Sequence, residues 1–197
     1  MDAGNESDAL RPPLLAVGEA AEKHMEQARN ELLLRLRLRD QVLLVHLVFV
    51  GAAFGAGFTA NVGYELFLAI PFLALGFALI HGHHHCHLGL LTSFCANEIA
   101  PLLRSLGEPA PVFDDSETLR PHAAPATSRR SWATAIIFVV PCALALVVNW
   151  KYVVSYTFPM TLVWVGAAVC TGYALTETLR AAAFREREFA RYNRWKK

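Results

Sequence analysis

Four apolar runs punctuate the chain: QVLLVHLVFVGAAFGAGFTA (41–60), VGYELFLAIPFLALGFALIHG (62–82), WATAIIFVVPCALALVVNW (132–150) and FPMTLVWVGAAVCTGYALT (158–176). A bilayer core about 30 Å thick is crossed by roughly 20 apolar residues in helical form. Each run has that length. A helix on the surface of a soluble protein keeps one polar face, whereas these runs are apolar around most of their circumference. The expected fold is therefore all-α: a polytopic membrane protein with four transmembrane helices in two hairpins and cytoplasmic helical extensions. Asn61 and its neighbours form the first hairpin turn, KYVVSYT the second, and the long connection runs from 83 to 131.

Orientation follows from the basic residues, which stay on the cytoplasmic side. The N-terminal arm holds six Lys or Arg, the middle segment four and the tail seven, against Lys151 alone in the short loops. Both termini and the middle segment are expected inside. Trp132, Trp150, Tyr152 and Tyr156 fall where an interfacial aromatic belt belongs. The first thirty residues are polar and acidic with no apolar segment of a secretory signal, so the first span reads as an uncleaved anchor. The Ala- and Arg-rich composition suits a bacterial inner membrane.

Outside the spans, 1–17 reads as a disordered tail and 18–40 as an amphipathic interfacial helix whose arginines reach lipid phosphates. The spans occupy 41–82 and 132–176. Between them, 83–106 is a His-rich helix end followed by a short amphipathic helix bent near Pro101, and 107–131 is a Pro-rich linker. Residues 177–197 form a basic helix.

Several functions are disfavoured. A net charge of +1 gives no basic surplus for nucleic acid. No Asp or Glu lies deep in a span, and His46 is the one ionisable group there, which disfavours a coupled transporter. No Ser-His-Asp set, phosphate loop or pair of intramembrane aspartates is evident, so the chain reads as non-enzymatic. The four cysteines show no CxxC spacing and imply no disulfide framework.

Two constellations stand out. Gly51 and Gly55 form a GxxxG stripe in the first span, and Gly166, Cys170 and Ala174 a similar one in the fourth; small residues let helices approach closely, within one bundle or between subunits. Pro71 and Pro141 fall mid-span, where each kinks a helix. The second constellation is HGHHHCH at 81–87. On a helix His81, His84 and His85 share one face, and His83 and His87 another, at spacings that let two imidazoles hold one divalent transition-metal ion such as Zn, Ni, Cu or Fe. His46 lies within roughly 4–5 Å of His81 in depth, as a further ligand. The metal set is thus His81, His84, His85, His87 and His46. Two other readings stay open: a pH-sensitive cluster, or a run of histidines that merely ends a helix at the interface.

His81–His85 also matches HxxHH, which resembles a histidine box of membrane-bound di-iron desaturases and hydroxylases. That family uses several boxes; beyond 81–87 this chain has only His24, His46 and His122, none in a second box. A di-iron oxygenase of the kind this resemblance implies lacks ligands here unless neighbouring subunits supply them. The functional expectation is an oligomeric membrane sensor or scaffold, or a pore-type effector, that couples the bilayer to a cytoplasmic protein. Its partners are membrane lipids, further copies of itself and that protein. The alternative is a metal-binding membrane protein.

Overall fold

The structure, a computed structural model, describes residues 6–59, 63–107, 120–155 and 158–194. Every element among them is helical: α1 (Glu6–Thr59), a 3-10 helix (Tyr64–Leu68), α2 (Ala69–Phe94), a π turn (Cys95–Ile99), α3 (Ala100–Ser105), α4 (Arg120–Val148), α5 (Lys151–Val154) and α6 (Met160–Arg194). Four stretches are long and apolar enough to cross a bilayer, within Val17–Phe58, Tyr64–Ser105, Arg129–Val148 and Met160–Phe184. The all-α class and the four spans are as expected. Asn61, Tyr156 and linker residues 108–119 lie outside the described residues.

Helix boundaries depart from expectation in three places. α1 runs unbroken for 54 residues, about 80 Å at 1.5 Å per residue, so part of it must stand outside a bilayer core. It starts at Glu6, inside the expected disordered tail, because extending a formed helix costs far less than nucleating one. α4 starts at Arg120 rather than 132; Pro121 falls at its second position, where the missing N–H has no intrahelical acceptor to lose. α2 continues through HGHHHCH to Phe94. The histidines therefore do not end a helix, since a histidine costs a helix little and Leu88 beyond them is buried. The bend expected near Pro101 takes the form of the π turn. Pro101 offers no N–H to the Asn97 carbonyl and its ring crowds that oxygen, so the preceding turn widens. Pro71 sits in the first turn of α2, directly after the 3-10 helix, rather than mid-helix.

Packing follows inward stripes at heptad-like spacing. On α1 the buried positions include Ala21, Met25, Ala28, Arg39, His46, Val50, Ala53 and Gly57; on α2 they include Ile70, Ala74, Ala78, His81, His85 and Leu88. α4 contributes Ala135, Phe138, Cys142 and Ala145, with Asn149 directly after its end, and α6 contributes Ala167, Ala174, Thr178 and Ala181. Alanine recurs on every stripe. Lipid supplies no hydrophobic force between helices, so close backbone approach and van der Waals contact hold the spans together. Phe67 and Phe138 fill the largest share of the central cluster. A second cluster, Ala21 and Met25 against Ile99, Ala100 and Leu103, ties the N-terminal part of α1 to the π turn and α3.

One end of the bundle is aromatic. Asn149, fully buried, donates Nδ2 to the carbonyls of Tyr64 and Ala145, both at 2.9 Å. Trp164 Nε1 donates to the Leu146 carbonyl at 2.9 Å and packs edge-on against Trp150 at 5.3 Å. Lys151 lies over the rings of Tyr64 and Tyr152. All four cysteines are free.

Candidate functional site

Toward the opposite end, all four spans deliver polar side chains to one place. α1 brings Arg39 and Asp40, α2 His81 and His85, α4 Arg130, Ser131 and Thr134, and α6 Thr178. The Asp40 Oδ1 atom accepts three hydrogen bonds: from Arg39 Nε at 3.1 Å, Arg39 Nη2 at 2.9 Å and Arg130 Nη2 at 2.9 Å. Arg39 is 1% exposed, while Asp40 and Arg130 keep about half their side-chain surface in solvent (57% and 52%). The two threonine hydroxyls turn back on their own helices, Thr134 to the Arg130 carbonyl and Thr178 to the Ala174 carbonyl. The arrangement is a knot of two guanidiniums on one carboxylate, flanked by two imidazoles.

Arg39 departs from the sequence reading, which sent it toward lipid phosphates with its neighbours. Its position, seven residues before His46, places it on the inward stripe. A buried charge of this kind needs a hydrogen-bonded partner, and the adjacent Asp40 supplies one. Arg35, on a different face, pairs with Glu31 at 2.6 Å as an ordinary i, i+4 bridge.

The histidine cluster divides between two sides of α2. His81 and His85 point inward, stacked at 6.1 Å. His83 and His87 meet at 4.4 Å on another face, with His84 at 5.8 Å from His83. The predicted i, i+4 pairings therefore form, as two separate pairs. His46 is fully buried between Phe77 (5.5 Å) and Phe138 (4.8 Å), and His81 packs on the same Phe138 ring at 5.9 Å. A phenyl group thus meets both His46 and His81. Among the described residues, no three His, Cys, Asp or Glu side chains gather in a metal-holding arrangement.

His46 faces a particular feature of α4. Pro141 has no N–H, so the Ile137 carbonyl four residues earlier lacks its helical donor. Neither ring nitrogen of the fully buried His46 makes a hydrogen bond of good geometry. An orphaned polar group in an apolar core costs about 1–3 kcal/mol. His46→Leu is therefore expected to leave thermal unfolding in detergent unchanged or to raise its midpoint. A fall would mean that the imidazole is held by a partner.

The small-residue positions also divide. A Cβ on Gly51 or Gly55 would meet no atom within 4 Å, and both glycines are exposed. Gly166 lies against Phe72, at 3.4 Å from a Cβ built there, and Cys170 is half-buried. The glycine that α1 needs for its own packing is Gly57, which the GxxxG pattern passes over: a Cβ there would fall within the Phe67 ring. Comparison with family models, curated proteins and solved structures finds no match for this chain.

Proposed function

We propose that this chain is a non-enzymatic integral membrane protein that associates with copies of itself and couples the bilayer to a cytoplasmic protein, as a sensor or scaffold or as a pore-type effector. In this reading the spans form two hairpins in a bacterial inner membrane. The distribution of Lys and Arg favours a cytoplasmic side for both termini and the middle segment. The observation that carries self-association is the face of α1 around Gly51 and Gly55. A Cβ on either glycine would meet no atom within 4 Å, and the face is flanked by exposed Leu44, Val48 and Phe58. Small-xxx-small faces of this kind let two helices approach closely in lipid. Coupling finds support in α1 itself, whose single helix joins the arm to the span and is knotted to α4 at Asp40. Within one chain the space between the spans is filled by Phe67, Phe138 and alanines, so the pore form of this reading requires several copies.

Gly51→Leu/Gly55→Leu is expected to reduce cross-linked dimers and higher species in native membranes by about ten-fold, a size consistent with small-residue helix contacts, without changing the unfolding of the monomer. A wild-type chain that stays strictly monomeric in the bilayer overturns the reading.

Metal binding is favoured by a separate observation, the His83–His87 ring pair at 4.4 Å. Two imidazoles can chelate one zinc or nickel ion whose remaining positions are filled by water. Zinc titration of the purified protein is expected to show one site that His83→Ala/His87→Ala abolishes and His46→Leu leaves intact. Equal zinc uptake by the wild type and the double variant removes this reading.

A further inference from the structure

We propose that the groove between α2 and α6 is a binding site for the phosphate of an anionic phospholipid. The groove encloses about 530 Å³ and lies where the apolar stretches of both helices give way to charge. Its floor is the close approach of the two helices at Gly82 and Ala181, where a Cβ on the glycine would sit 3.7 Å from the alanine Cβ. α2 offers Leu79 and His83 on one wall; α6 offers Arg180, Phe184 and Arg187 on the other. Arg180 and Arg187 are seven residues apart, two helical turns or about 10.5 Å along the axis. They therefore share a face, and their long side chains can close on one phosphate from either side. Guanidinium matches phosphate oxygens through paired hydrogen bonds.

Glu177 also lines the groove and accepts a hydrogen bond from Arg180 Nη1 at 2.9 Å. Two guanidiniums against one carboxylate leave the groove cationic. Arg180 is 72% exposed in that bridge, and an exposed bridge is weak enough to be traded for a phosphate. The apolar wall decides between a lipid and a free phosphate ion. Leu79, about half exposed, and Phe184 line the groove beside the arginines, an apolar surface against which an acyl chain can lie and which an inorganic ion cannot use. Basic pockets between membrane helices bind anionic head groups by this combination. The site is separate from the Gly51–Gly55 face and does not depend on self-association.

The test is native mass spectrometry of the detergent-purified protein with equal amounts of dioleoyl phosphatidylglycerol and dioleoyl phosphatidylcholine. The wild type is expected to retain the anionic phosphatidylglycerol preferentially, by about five-fold for each arginine engaged. Arg180→Gln/Arg187→Gln should lose that preference, while Arg129→Gln, exposed and outside the groove, should keep it. Unchanged helicity and unchanged phosphatidylcholine retention confirm that the double variant is folded. Equal retention of both lipids by the wild type, or a preference that survives in the double variant, overturns the proposal. Complete displacement of the lipid by millimolar sodium phosphate would assign the groove to a free anion and overturns it equally.

Discussion

Asp40→Ala is expected to lower the stability of the purified protein by about 1–3 kcal/mol, seen as earlier thermal unfolding in detergent. The reasoning starts from Arg39, whose guanidinium is enclosed by the spans and donates twice to Asp40 Oδ1. Removing one partner of a fully buried pair costs about 3–5 kcal/mol, because a charge is left without compensation. Asp40 is 57% exposed, so water reaches the site and the cost falls below that range. The variant also leaves Arg39 and Arg130 facing each other with no carboxylate between them. The companion variant isolates the cause: Arg39→Met/Asp40→Ala removes both charges at similar volume and should recover most of the loss, as apolar replacements of buried ion pairs do. If Asp40→Ala unfolds with the wild type, the knot holds nothing together.

Much of this architecture was legible in the residues. The runs at 41–82 and 132–176 specify four spans through length and apolarity, quantities that need no tertiary information. The i, i+4 pairing of His83 with His87 follows from helix geometry alone. The knot was not legible because its members come from separate helices, and sequence spacing says nothing about rotation of one helix against another. A signal existed nonetheless. Arg39 and His46 sit seven apart and in phase with Val50, Ala53 and Gly57, which marks them as inward. The arginine count that oriented the spans treated Arg39 as one more surface cation. GxxxG misled about packing within the chain for a related reason: Gly51 and Gly55 are a step out of phase with the buried stripe, so the motif marks the outer face of α1.

Gly57→Leu carries that distinction to a measurable result. The Phe67 ring is fully buried against α1, with Phe54 at 4.8 Å, Phe58 at 5.6 Å and Tyr64 at 5.8 Å around it. A side chain at position 57 must displace that ring, which is crowded by the surrounding aromatics. Overpacking of this kind costs about 1–3 kcal/mol. Leucine is a better helix former than glycine by roughly 0.8 kcal/mol, so the measured loss understates the clash. Phe67→Ala on its own opens a cavity and is expected to cost about 3–5 kcal/mol. Combined with Gly57→Leu, it provides the space that the leucine needs, so the double variant should be more stable than the sum of the two losses implies. A Cβ at 51 or 55 meets no atom within 4 Å, so the same leucine there should leave monomer unfolding where it was. A larger loss from Gly51→Leu than from Gly57→Leu would mean that α1 is rotated, with its GxxxG face inward, and both the knot at Asp40 and the outward association face would have to be given up together.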